Sequence, residues 1–180
     1  MKADASSVQV DRDPPGKERN KYLTFTLGPQ TLGLEILPIR EILGYREPTA
    51  VLRMPAHVRG VINLRGSVVP VLDLAVRFGR EPYPVGRKAC ILIIDSYFKE
   101  EKHVLGVIVD AVSEVVTIAT ADIEPAPPFG GTIRSDFLRG LTKIRGRFVA
   151  LLAAGTVFDM SQLAGLVAKT GRASPELPGS

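Results

Sequence analysis

Residues 60–74 read GVINLRGSVVPVLDL. Two apolar runs flank Arg65-Gly66, and a two-residue connection ending in glycine is a hairpin signal. That reading puts Arg65 at the tip of a turn, outside any core, and gives Gly66 the positive φ that such turns demand. Eighty positions later the pattern returns. LRGLTKIRGRFVALL (138–152) lies over VRGVINLRGSVVPVL (58–72), with Arg59-Gly60 against Arg139-Gly140 and Arg65-Gly66 against Arg145-Gly146. A second block keeps the same order. LGLEILPIREIL (32–43) lies over LGVIVDAVSEVV (105–116), matching Leu32-Gly33 to Leu105-Gly106 and Glu41 to Glu114. Two registered blocks in one order predict two similar lobes of about five short strands each. Short strands with glycine-rich turns hide their edges by closing. The fold class is therefore mainly β: two similar five-stranded SH3- or OB-like barrel lobes packed around a shared core, with short helices.

Other strand signals fit this frame. YLTFTLG (22–28) alternates Tyr22, Thr24 and Thr26 against Leu23, Phe25 and Leu27, and LGLEI follows after the turn GPQT. ACILIIDS and HVLGVIVD make a further hairpin closed by the polar turn YFKEEK. DLAVRFG suits one or two helical turns after Asp73, and DMSQLAGLVAKTG has the capping and spacing of a C-terminal helix. Residues 1–20 are polar and broken by Pro14, Pro15 and Gly16, and residues 170–180 form a second loose tail. The ordered domain is expected over 21–169, with a first lobe at about 21–84 and a second at about 85–169.

The composition narrows the function. Charged residues make up 23%, the net charge is +4, and 15 of the 23 cations are Arg. The cations are scattered and no aromatics interleave with them, so solvated surface or an acidic protein partner explains them better than nucleic acid. OB-type barrels that bind nucleic acid stack bases on exposed aromatics. Here aromatics are 6%, with no Trp. The single cysteine, Cys90, forms no intramolecular disulfide and reads as a core thiol of a reducing compartment. No apolar window approaches the ~20 residues of a membrane span.

No catalytic constellation emerges. His57 and His103 have no second His or Cys at metal-ligand spacing, no G-x-S-x-G elbow is present, and no phosphate loop occurs. No cofactor or metal is expected. Arg65 with Glu41 and Arg145 with Glu114 are the expected pairs, against the blander alternative that both arginines simply face water. Paired barrels without chemistry point to a binder of proteins.

The residues FTLG (25–28), LGLEILPIREILGY (32–45), MPAHVRGVINLRGSVVPVLDL (54–74), GVIVDAVSEV (106–115) and IEPAPPF (123–129) resemble the CheW family of chemotaxis coupling proteins. The likeness runs from about Lys21 to the C-terminal helix. It implies two five-stranded lobes around a shared core and a scaffold without catalysis. Such proteins join the cytoplasmic helical hairpins of chemoreceptors to the regulatory domain of the histidine kinase CheA, which has the same fold. The resemblance implies no nucleic acid, no membrane insertion, a cytoplasmic location on receptor arrays, and ring or array assembly through lobe-to-lobe pairing. A coupling protein of another pathway, such as twitching motility or surface sensing, is the nearest alternative, and an OB-like nucleic-acid binder the more distant one.

Residue by residue, the resemblance ties Arg65 and Glu41 to coupling. It puts Ile39 and Val115 along a receptor-facing groove, and Ile42, Tyr45 and Gly60 on or behind a kinase-facing side. The chain departs from the family pattern at YFKEEKH, at FGGTIRSDF and at LLAAGTVFDMSQL.

Overall fold

A computed structural model describes residues 18–82, 84–126 and 133–159. The first five strands are β1 (Arg19–Leu27), β2 (Gln30–Glu35), β3 (Ile39–Gly44), β4 (Val58–Leu64) and β5 (Ser67–Asp73), followed by a short helix α1 (Leu74–Arg77). The second five are β6 (Cys90–Phe98), β7 (Glu101–Val109), β8 (Ala111–Ala119), β9 (Leu138–Ile144) and β10 (Arg147–Leu152), followed by α2 (Ala154–Val157). Asp73 caps α1, its Oδ1 accepting from the Val76 amide at 3.3 Å. The helix expected over DMSQLAGLVAKTG lies outside the described residues beyond Asp159. The ordered domain begins earlier than residue 21, because Arg19 and Asn20 already pair with Ala119 and Ile118.

The strands form two five-stranded sheets, ordered β8-β1-β2-β10-β9 and β3-β6-β7-β5-β4. Adding five to each strand number, or subtracting it, turns one order into the other. The internal repeat is therefore real, but the lobes are not the contiguous halves 21–84 and 85–169. Each sheet takes a hairpin from one repeat and three strands from the other. Each exchanged hairpin is joined by an antiparallel pair on one side, β1 on β8 and β6 on β3, and by a parallel pair on the other, β2 on β10 and β7 on β5. A hairpin connects its own two strands only in antiparallel fashion, so a parallel neighbour has to come from elsewhere in the chain.

This exchange explains a departure from the expected alternation. Leu23, Phe25 and Leu27 are buried as expected, but Tyr22 and Thr24 are also at most 3% exposed. β1 has a core on both faces. Tyr22, Ile118, Val149 and Leu151 fill the interior of one barrel. Ile62, Val69, Val71, Ile91, Ile93 and Ile108 fill the other. Between the sheets lies the largest cluster, with Phe25, Leu32 and Leu34 from one side and Leu92, Ile94 and Val107 from the other.

The matched glycines mark where backbones come closest. A Cβ on Gly33 would sit 2.6 Å from Leu151 Cδ2, and one on Gly106 would sit 2.9 Å from Ile91 Cγ2 and 3.2 Å from Val71 Cγ2. At the barrel seams the approach is to backbone. A Cβ on Gly60 would meet the Thr49 carbonyl oxygen at 2.3 Å, and one on Gly140 the Glu124 carbonyl oxygen at 2.5 Å. Those contacts accompany the bridges Thr49–Val61 and Glu124–Leu141, which tie each sheet's two edges together.

The ends of the repeats lock across the lobes. Arg77 donates from Nε to the Val157 carbonyl at 2.9 Å and from Nη2 to the Thr156 carbonyl at 3.1 Å, at the C-terminal end of α2. The same guanidinium lies 4.7 Å from the centroid of the Phe137 ring. The hairpin β6–β7 turns more tightly than YFKEEK suggested. Lys99 and Glu100 take φ values of 52° and 64°, a two-residue turn of the primed kind without glycine.

Gly60→Ala is expected to lower stability by about 2–3 kcal/mol, since a methyl group there has to displace backbone rather than a side chain. Gly66→Ala, with only open space around its Cβ and a φ of 86°, is expected to cost about 1 kcal/mol. Urea denaturation of both variants checks the order, and equal losses would disprove the seam contact.

Candidate coupling surface at the barrel seams

The tips of the hairpins β4–β5 and β9–β10 each carry an arginine beside a glycine. Arg65 and Gly66 have φ values of 52° and 86°, and Arg145 and Gly146 have 50° and 81°, so both residues of each turn are left-handed, as the strand twist requires. The Asn63 side chain steadies the first turn, its Oδ1 accepting from the Gly66 amide at 3.1 Å. The turn places each arginine over the strand on the opposite edge of its own sheet.

There the expected pairs form. Arg65 donates from Nη1 to Glu41 Oε2 at 2.6 Å and from Nη2 to Glu41 Oε1 at 2.9 Å. Arg145 makes the same two-point contact with Glu114, one arm at 2.9 Å. β3 and β4 are the edges of one sheet and β8 and β9 those of the other, so each ion pair spans a seam. Both arginines remain 71% exposed while held at two points. The arginine hydrogen bonds hold the Glu41 and Glu114 carboxyls below their ordinary value of 4.5, against the opposing effect of desolvation.

The remaining expected residues fall in different settings. Ile39 is half-buried on β3, opposite Ile94, at the rim of the shared core. Val115, on β8 opposite Leu23, is 53% exposed, and Ile42, opposite Leu92, is 45% exposed. Ile42 and Val115 are repeat mates, each one residue past its seam glutamate on the edge strand. The resemblance assigns them to different partners, whereas the fold gives them equivalent places on opposite sheets. Tyr45 packs beneath its seam against the barrel interior, and its hydroxyl lies 3.5 Å from Glu47 Oε1. Burial raises the Tyr45 phenol above its ordinary value. Gly60 is buried and presents no side chain to a partner; it lets the Thr49 bridge form.

Two features were not anticipated from the sequence. Arg46 Nη2 donates to the Asn63 carbonyl at 3.1 Å, a second tie across the first seam. Beside α2, a cleft of about 330 Å³ is lined by Leu34, Pro38, Leu152 and Ala154, and the ion pair of Arg139 with Glu35, at 3.0 Å, forms one wall. The histidines stand apart from the seams: His57 precedes β4, and His103 lies on β7 opposite Ser96, not in a turn. Cys90 is only partly buried, its thiol 3.4 Å from the Lys88 carbonyl. Among the described residues no group of three His, Cys, Asp or Glu is arranged to hold a metal ion, and no helix is long and apolar enough to cross a membrane.

The seam pairs carry a pH signature. Their glutamates are more acidic in the folded chain than in the unfolded one. The stabilisation is therefore complete above pH 4.5 and disappears as the pH falls through the folded value. Arg65→Ala is expected to unfold at a slightly lower temperature than wild type at pH 7, with the gap narrowing as the pH is taken below 4.5. A gap that is constant with pH would mean that the pair is not what the substitution removes.

A family model for the CheW-like domain matches residues 21–162. The chemotaxis protein CheW of Rhizobium meliloti is 34% identical over 142 residues, covering 79% of this chain and 89% of its own. The chemotaxis protein CheW of Klebsiella aerogenes is 31% identical over 144 residues, covering 80% and 84%. Protein FrzA of Myxococcus xanthus is 29% identical over 135 residues, covering 75% and 81%. The crystal structure of the scaffolding protein TtCheW from Thermoanaerobacter tengcongensis superposes with a TM-score of 0.71 at 30% identity, covering 81% of this chain and 91% of that one. With the repeated barrels, their seams and these likenesses in agreement, the chain belongs to the CheW-like domain family.

Proposed function

We propose that this protein is a non-catalytic scaffold of a chemosensory array in the cytoplasm. It holds the helical tips of chemoreceptors to the regulatory domain of a CheA-type histidine kinase and helps to pass the signal between them. The observation that carries the reading is the pose of Arg65. An exposed arginine ordinarily loses side-chain freedom when it binds, which weakens the contact. Glu41 already holds this one at two points while leaving most of it open to a partner. A polar group on a receptor helix then meets a donor fixed in place, and the apolar edge residues Ile39 and Val115 take that helix's apolar stripe.

On the kinase side, Ile42 supplies exposed apolar surface next to the same seam, with Tyr45 and Gly60 supporting it from beneath. Single interfaces of this kind are small, so strength comes from many of them engaged together. A second reading is that the same scaffold serves a chemosensory pathway other than swimming chemotaxis.

A pull-down against a CheA regulatory domain in moderate salt tests the reading. Wild-type protein is expected to be retained and Ile42→Asp to be lost, with its melting temperature unchanged. Exchanging the seam charges (Glu41→Arg with Arg65→Glu) is expected to restore part of the receptor coupling that either single change removes. If the double exchange performs no better than the single ones, the pair has no part in coupling. Retention on a nucleic-acid column, reversed by salt, together with no binding to the kinase domain, would replace the scaffold reading with that of an OB-like nucleic-acid binder.

A further inference from the structure

The two seams are built from the same parts but are not closed equally. After β3 the chain runs from Leu43 to its bridging residue Thr49. After β8 the corresponding run, from Val116 to Glu124, is two residues longer. The extra length forms a 3-10 turn at Thr120–Asp122 before the connector reaches its bridge to β9. A cleft of about 580 Å³ results, walled by Val116, Ile118 and Ile144, with Asp122, Glu124 and Lys143 around it. Thr142 Oγ1 donates to the Asp122 carbonyl at 3.0 Å and fixes the turn over the strand.

The sister seam shows what crosses such a gap. There Arg46 spans it and donates to the carbonyl of Asn63. In the repeat, Asn63 corresponds to Lys143 and Arg46 to Ala119, so the second seam has the acceptor position but no guanidinium of its own. The charges point the same way. Arg145 is engaged by Glu114, and Lys143 Nζ lies 5.1 Å from the centroid of the Phe148 ring. Asp122 and Glu124 make no ion pair among the described residues, which leaves a local excess of negative charge.

We infer that the cleft between β8 and β9 is a docking site for an arginine side chain presented by a partner protein. The guanidinium would take the place that Arg46 holds in the sister seam, over the Lys143 carbonyl and between the Asp122 and Glu124 carboxylates, with its aliphatic stem against Ile118 and Ile144. A planar group with several donors suits a carbonyl flanked by two carboxylates, and its weakly hydrated face tolerates the apolar wall. A lysine ammonium offers neither property.

The test is an amide NMR titration of the full chain with the capped tripeptide acetyl-Gly-Arg-Gly-amide, and with its lysine counterpart. The expected result is a saturable shift confined to residues 116–124 and 142–145 with the arginine peptide, and at least tenfold weaker binding of the lysine peptide. Ala119→Arg, which supplies the missing side chain from within, is expected to abolish the response. Should that variant fold poorly, Asp122→Asn with Glu124→Gln decides, with an expected loss of at least fivefold in affinity. No saturable shift, an equal response to lysine, shifts centred elsewhere, or unchanged affinity in the double variant would each overturn the proposal. Loss of kinase binding plays no part in this test, so the docking site and the scaffold reading can fail separately.

Discussion

Parallel pairing of β2 with β10 and of β7 with β5 obliges each repeat to complete the other. Neither set of five strands can close by itself, because the hairpin at the start of each repeat lies in the sheet of its sibling. The consequence is a chain with three cores, one inside each barrel and a larger one between them. Strands such as β1 bury both faces, and the two lobes cannot part without breaking sheet hydrogen bonds. Gly33 and Gly106 stand where the exchanged hairpins join their new neighbours, and the side chains packed over them leave no room for a Cβ. What looks like two tandem domains is one cooperative body with two similar ends.

Each end closes by the same device. A glycine lets a connector press its carbonyl against the first strand of the turn-bearing hairpin, a bridge forms, and the arginine at the hairpin tip reaches back to a glutamate on the opposite edge. The bridge is shielded, whereas the ion pair is open to water. An exposed pair adds little to stability, so its more telling effect is on pose. The exposed guanidinium groups are already held at two points. The seams then diverge through their connectors: a shorter one lets Arg46 span the gap, and a longer one turns outward and leaves a cleft. Repetition thus supplies two related faces, and a difference of two residues makes them unequal.

Much of this was legible in the chain. The registered Arg-Gly pairs announced the repeat, the hairpins and the positive φ at Gly66 and Gly146, because turn chemistry is local and leaves its mark on adjacent residues. The pairing of Glu41 with Arg65 and of Glu114 with Arg145 followed from symmetry between the blocks. The close approach of Gly60 to the Thr49 carbonyl was not legible, since a glycine that serves a backbone contact looks the same in sequence as one on a surface. The equivalence of Ile42 and Val115 was legible too, in their equal offsets from Glu41 and Glu114.

The sequence by itself determined the local units: the strand segments, the two Arg-Gly turns and the order of the repeat. Those depend on period-two burial and on backbone preferences that act over a few residues. Only the tertiary structure decided which hairpin joins which sheet, why β1 has no exposed face, that Arg77 caps α2 across the lobes, and that one seam is spanned where the other gapes. Parallel strand partners, and contacts between residues eighty positions apart, are chosen by how the whole core packs. The same strands, paired in contiguous halves, would carry an identical pattern of apolar and polar residues.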